Sequence, residues 1–291
     1  MQGCVKIVSL SVRLSRPAQL TNLKEEEFVI MSELLNVKMY IFDMDGTIYL
    51  GGHVFPDSLK TVRQLRQRGK KVLFFTNNAS RCRDAYIEKL SALGFGPSPD
   101  EVLTAGNVTE AFLRRHRPGR RVYLLGTDEL RGEFAGAGIA LCDTGPADIV
   151  VSSFDTGLTY EKVLRACRLI ADGAEYLCTH PDLNCPTDEG IMPDSGAISA
   201  MITASTGVRP RVFGKPSAST VDMISELTGI CPREMAFVGD RLETDIAVGR
   251  QNGAVSILTL TGVTGREEAQ AAAEHCRPDY IVNNLSGILT L

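Results

Sequence analysis

From Lys38 onward, short apolar runs rich in β-branched and aromatic residues alternate with amphipathic stretches, and this alternation constrains the fold more than any other feature of the chain. Strands that run parallel need a crossover long enough to hold a helix, so the pattern predicts βαβ units and a mostly parallel sheet. The apolar runs place strands over 39–42, 71–75, 122–125, 149–152, 176–179, 235–238 and 255–260. Between them the spacing predicts helices over 58–68, 83–93, 160–171, 218–228 and 244–252, several closed by a glycine such as Gly69, Gly94 or Gly253.

With 291 residues the chain has room for two modest domains or one elaborated one. A hydrophobic fraction of 44% and a charged fraction of 23% predict a soluble globular protein, and no apolar run approaches the roughly 20 residues that span a bilayer. The formal net charge of -4 comes from interspersed acidic and basic residues, without the basic stripe that a phosphate backbone attracts. Nucleic acid and membrane are therefore not expected partners, and the cytoplasm is the expected compartment. The 8 cysteines form no CxxC pair and the 4 histidines no HxxxH pair, which predicts reduced thiols and no clustered zinc site. Residues 1–36 form an N-terminal extension, acid-free until Glu25 and interrupted by Lys6 and Arg13, which is expected to be dispensable to the fold.

Open α/β sheets bind ligands at the carboxyl ends of their strands, and polar residues gather at three such ends. Phe42 leads into Asp43-Met44-Asp45-Gly46-Thr47, Phe75 into Thr76-Asn77-Asn78, and Val238 into Gly239-Asp240-Arg241. In extended chain Asp43 and Asp45 project to the same face, so two carboxylates stand close together after a buried strand. A polar turn closed by Gly46 would carry the same residues, but an apolar run directly before it argues against a casual surface turn. Asp240 and Asp245 bring further acid to the same rim. Such a cluster repels itself unless it holds a cation, and carboxylate oxygens with a backbone carbonyl suit Mg²⁺.

Gly214-Lys215-Pro216-Ser217 opens the helix before the third of these strands. Taken alone, Lys215 reads as an exposed loop lysine whose proline starts a helix. Beside an acidic metal site it supplies the compact positive charge that a phosphate dianion requires. Thr76 and Asn77 offer a hydroxyl and N–H donors to nonbridging phosphoryl oxygens, or form an ordinary strand-end turn.

These four segments, in this order, resemble the four motifs of the haloacid dehalogenase-like (HAD) superfamily of phosphatases. The spelling Asp43-Met44-Asp45-Gly46-Thr47-Ile48-Tyr49, with Thr76-Asn77-Asn78, Gly214-Lys215-Pro216-Ser217 and Gly239-Asp240 through Thr244-Asp245-Ile246, is similar to its NagD/4-nitrophenylphosphatase branch. The resemblance runs from about Lys38 to the C-terminus. It implies a Rossmann-like, doubly wound α/β core over 37–116 and 209–291, with an inserted α/β cap of the C2 type over 117–208. It also places His180-Pro181-Asp182-Leu183-Asn184 on the substrate-facing cap loop, where His180 reads as a substrate contact or as an ordinary loop residue.

What the resemblance implies for chemistry is in-line attack by Asp43 on phosphorus, giving an aspartyl-phosphate. Asp45 then serves first as the acid for the leaving alkoxide and later as the base for water. Asp43, the Asp45 carbonyl and Asp240 ligate Mg²⁺, Asp245 orients Lys215 or a metal-bound water, and Lys215, Thr76, Asn77, His180 and Asp182 meet the substrate. The expected activity is hydrolysis of a small phosphorylated metabolite, with sugar phosphates preferred over nucleoside monophosphates because Asp182, Asn184 and Thr187 suit hydroxylated ligands. A phosphotransferase or mutase on the same core, and a phospho-accepting signalling module, remain as rival readings. Homodimers through the cap are a further expectation.

Overall fold

The computed structural model describes residues 34–187 and 190–291. Most of the expected N-terminal extension lies outside the described residues, as does the side chain of Thr187. Two compact units divide the described residues: one takes those from 34 to 74 with 93–95 and 228–291, the other those within 75–92 and 96–227. No helix among the described residues is long and apolar enough to cross a membrane.

In the first unit the strands lie in the order Tyr280–Val282, Val255–Thr259, Met235–Gly239, Met39–Phe42, Lys71–Thr76, and the last of these runs on into the second unit. All neighbours among them pair in parallel. Met39–Phe42, Met235–Gly239 and Val255–Thr259 are buried at every position, as continuous apolar strands covered on both faces must be. The chain enters at Met39–Phe42 in the middle, crosses to Lys71–Thr76 on one side, and later builds outward on the other side from Met235–Gly239. That reversal between Met39–Phe42 and Met235–Gly239 is a topological switch point, beyond whose carboxyl ends a doubly wound sheet opens its crevice.

Register fixes what stands at that opening. Phe42 pairs with Val238, and the Asp43 amide donates to the Val238 carbonyl at 2.8 Å, so Asp43 and Asp240 emerge side by side. The expected strands recur within a residue or two of their ends. The segment expected to be a helix over 244–252 begins instead with a five-residue π-helical turn, Leu242–Ile246, before Ala247–Gln251 becomes α-helical. The Ile246 amide reaches back five residues to the Arg241 carbonyl at 3.2 Å, the wider bond that defines such a turn and that recurs at functional sites.

A second parallel sheet, in the order Arg211–Val212, Glu175–Cys178, Ile149–Ser152, Arg121–Leu125, Ala140–Leu141, organises the second unit. Helix Tyr160–Ala171 packs Val163, Ala166, Leu169 and Ile170 against Tyr123, Val150 and Tyr176, at the spacing of one helical face. Large apolar side chains in such positions each contribute about 1.5–3 kcal/mol of transfer free energy. Thr159 caps that helix by accepting from the Lys162 amide, and Asp194 caps Ser195–Thr206 by accepting from the Ser195 amide.

Candidate functional site

The first unit brings Asp43, Asp240 and Asp245 together, with one carboxylate oxygen from each inside a 4.8 Å spread. Asp43 is half-buried, whereas Asp240 and Asp245 are almost fully enclosed. Backbone donors orient the enclosed pair: the Val263 amide donates to Asp240 Oδ2 at 2.8 Å, and the Arg241 amide to Asp245 Oδ2 at 3.1 Å. Thr47 Oγ1 lies 3.4 Å from Asp240 Oδ1 and 3.5 Å from Asp43 Oδ2. A single hydroxyl proton can serve only one of them at a time, so Thr47 bridges the two carboxylates without neutralising either.

Gly46 makes this packing feasible. Its φ of 89° is left-handed, and a Cβ there would come within 2.5 Å of Asp240 Oδ2. The glycine therefore closes the Asp-Met-Asp-Gly turn and keeps the space beside the Asp240 carboxylate open. Its amide donates to the Tyr49 carbonyl at 2.8 Å, while the Asp45 residue just before it is exposed.

An all-oxygen donor set of closely spaced carboxylates fits a hard divalent cation. Asp43 and Asp240, with Asp245 behind them, are the side chains of this unit that would hold it.

The second unit holds Thr76, Asn77, His180, Asp182 and Lys215. Here the Asn77 carboxamide is the organiser: Oδ1 accepts from the Lys215 amide at 2.7 Å, and Nδ2 donates to the Lys215 carbonyl at 2.9 Å. The same Nδ2 faces the Asp182 carboxylate at 3.1 and 3.2 Å. Asn77 thereby clamps the Lys215 main chain from both sides, with its carboxamide engaged by protein partners. Lys215 is itself buried, its Nζ donating to the Phe75 carbonyl at 3.3 Å and lying 5.4 Å from the Phe75 ring centre. Thr76 Oγ1 accepts from the Asn78 amide at 3.1 Å, shaping the turn after the strand.

His180 is fully enclosed, with Nε2 at 2.9 Å from Asp194 Oδ1 and Nδ1 at 3.0 Å from Thr179 Oγ1. Both ring nitrogens thus have protein partners. Gly214, at φ 74°, passes so close that a Cβ would meet the His180 Cβ at 2.6 Å and Asn77 Oδ1 at 2.9 Å. Burial raises the Asp182 pKa above its ordinary value, opposed by the positive charges of His180 and Lys215 and by the Asn77 hydrogen bond.

Two contributors escaped the sequence reading. Asp194 caps a helix and partners His180; a proline-Asp-Ser-Gly run before an apolar stretch was its signal. Thr47 was legible as part of a motif but not as the hydroxyl between Asp43 and Asp240.

Comparison with known proteins identifies the family. Residues 40–140 match the family model described as haloacid dehalogenase-like hydrolase, and residues 212–288 a second described as HAD-hydrolase-like. An acid sugar phosphatase of Staphylococcus aureus is 33% identical over 249 residues, covering 86% of this chain and 95% of that protein. A 4-nitrophenylphosphatase from Thermotoga maritima superposes with a TM-score of 0.83 at 40% identity, covering 89% of this chain and 98% of that one. A glycerol phosphate phosphatase from Mycobacterium tuberculosis, solved in complex with magnesium, gives a TM-score of 0.79 at 29% identity over 88% of this chain and 77% of that one. With matches of this extent at both ends of the sequence, the chain belongs to the haloacid dehalogenase-like hydrolases.

Proposed function

We propose that this chain is a Mg²⁺-dependent phosphatase of small phosphomonoesters, and that Asp43 is its covalent nucleophile. The observation that carries the reading is the convergence of Asp43, Asp240 and Asp245 at the switch point of the doubly wound sheet. Bound Mg²⁺ supplies the positive charge that lets an anionic nucleophile approach an anionic ester. Asp43, Asp240 and the Asp45 carbonyl would hold it, and Asp245 orients the loop behind them.

An Asp43 oxygen attacks phosphorus in line, and the P–O bond to the leaving alkoxide breaks as the new one forms. Asp45 gives its proton to that alkoxide, then takes one from the water that hydrolyses the aspartyl-phosphate. Thr76 and Lys215 are assigned to the phosphoryl oxygens through their motifs. Asn77 acts by fixing the Lys215 main chain, and His180 with Asp194 by holding the loop that carries Asp182. The insertion over 117–208 serves as a cap in this reading, with Asp182 and Asn184 turned to hydroxyl groups of the substrate.

Sugar and polyol phosphates are the preferred class, supported by the acid sugar phosphatase and glycerol phosphate phosphatase relatives. The exposed side chains of Leu183, Ile191 and Met201 provide apolar surface for a homodimer through the cap. The test is phosphate release from a panel of sugar phosphates, glycerol phosphate, nucleoside monophosphates and 4-nitrophenyl phosphate, with and without Mg²⁺. Release that requires Mg²⁺ and disappears in Asp43→Asn is expected. Phosphate transferred to an acceptor without release would favour a phosphotransferase, and equal rates in the variant would overturn the nucleophile assignment.

A further inference from the structure

The first unit contains a second constellation that the phosphatase reading does not use. Glu243 lies on the π-helical turn Leu242–Ile246, and His275 and Cys276 lie on the short 3₁₀ turn Glu274–Cys276. His275 Nε2 is 3.3 Å from Glu243 Oε2, and Cys276 Sγ is 3.6 Å from Glu243 Oε1. One ligand atom from each of the three residues falls within a 4.8 Å spread.

These separations match a particular kind of ion. With metal–sulfur bonds of about 2.3 Å and metal–nitrogen or metal–oxygen bonds of about 2.0 Å, a tetrahedron has N–O edges of about 3.3 Å and S–O edges of about 3.5 Å. The observed contacts of 3.3 and 3.6 Å are of that size but reach different oxygens of Glu243, so a small rotation of its exposed carboxylate presents one oxygen to both partners. Access is also suitable: the His275 and Glu243 side chains are 55% and 76% exposed, while Cys276 forms the floor at 2%. Leu242, Ile246, Ala272 and Ile281 pack with Cys276 and hold the sulfur in place.

We propose that Glu243, His275 and Cys276 form a binding site for a borderline-soft divalent cation of the Zn²⁺ class, with water completing the coordination. A mixed oxygen, nitrogen and sulfur set selects such an ion over Mg²⁺, which takes oxygen ligands. Binding releases the thiol proton to solvent as the sulfur becomes a thiolate ligand. Because Glu243 stands two residues before Asp245, an ion here also restrains the turn that carries that carboxylate.

The experiment uses the full chain in excess Mg²⁺, so that the aspartate cluster is saturated. Zn²⁺ retention is measured by equilibrium dialysis, and Co²⁺ serves as a spectroscopic probe. The expected result is about one equivalent of Zn²⁺ retained, together with a thiolate-to-Co²⁺ charge-transfer band. His275→Ala, an exposed change that leaves the core intact, should weaken Zn²⁺ at least about ten-fold. Cys276→Ser should abolish the charge-transfer band, and circular dichroism confirms that it folds. No retained Zn²⁺, or equal affinity in wild type and His275→Ala, would overturn the site.

Discussion

Two clusters in this molecule look alike by composition and differ in what they ask of their surroundings. In one unit Asp43, Asp240 and Asp245 converge; in the other His180, Asp182 and Asp194 do, each group within 4.8 Å. The second set has a ring partner in His180 and a donor in Asn77, and the Lys215 charge acts on Asp182, so its carboxylates are answered by side chains of the same unit. The first brings three carboxylates to one place, oriented by backbone amides and by the Thr47 hydroxyl. Carboxylates packed this closely repel one another, and a divalent ion offsets that repulsion. The first arrangement therefore suits metal-assisted chemistry and the second suits the holding of a loop.

Mutations that separate those roles test the contrast. Asp240→Asn removes a carboxylate from the first cluster and should raise the Mg²⁺ concentration for half-maximal phosphate release about 10–100-fold, with the unfolding midpoint little changed. Gly46→Ala forces a Cβ against Asp240 Oδ2 and strains a left-handed backbone, so it should also raise the Mg²⁺ requirement, by less, because the carboxylate survives. An unchanged Mg²⁺ response in both would remove the first cluster from metal binding.

For the second cluster the larger effects should be on stability. Asn77→Ala leaves the buried Lys215 amide and carbonyl without their carboxamide partner and should cost about 1–3 kcal/mol in urea unfolding. Wild-type stability in that variant would mean that the clamp is replaceable.

The smallest expected effect concerns pH. The folded protein holds the Asp182 proton more tightly than the unfolded chain, because burial raises its pKa above 3.8. Its contribution to stability is therefore present at low pH and lost as pH climbs from that value through the raised one. Asp182→Asn should remove this loss, so the variant gains on wild type as unfolding is measured at increasing pH. A constant difference between the two proteins across that range would refute the assignment.

Much of the first cluster was legible before any coordinates, and the reason is local. Asp43, Asp45 and Gly46 sit in one short run after an apolar strand, and Gly239-Asp240 repeats the arrangement, so strand ends and carboxylates are read from the same few letters. The tertiary ties of the second cluster have no such record. Asn77 and Lys215 are 138 residues apart, and nothing in either segment says that a carboxamide will clamp the other's main chain. Helix Ser195–Thr206 was missed for a related reason: its small residues and hydroxyls do not contrast strongly with the buried Ile198 and Ile202, so the helical period is faint. The π-helical turn at Leu242–Ile246 likewise depends on a bond to the Arg241 carbonyl that helical periodicity does not predict.

The central claim is that Asp43 becomes phosphorylated during turnover. Rapid acid quench of the Mg²⁺-loaded protein with a small phosphomonoester, followed by peptide mass mapping, tests it directly. A phosphoryl adduct on Asp43, absent without Mg²⁺ and absent in Asp43→Asn, is the predicted result. Steady phosphate release with no adduct on Asp43, or with the adduct on another residue, would contradict the account.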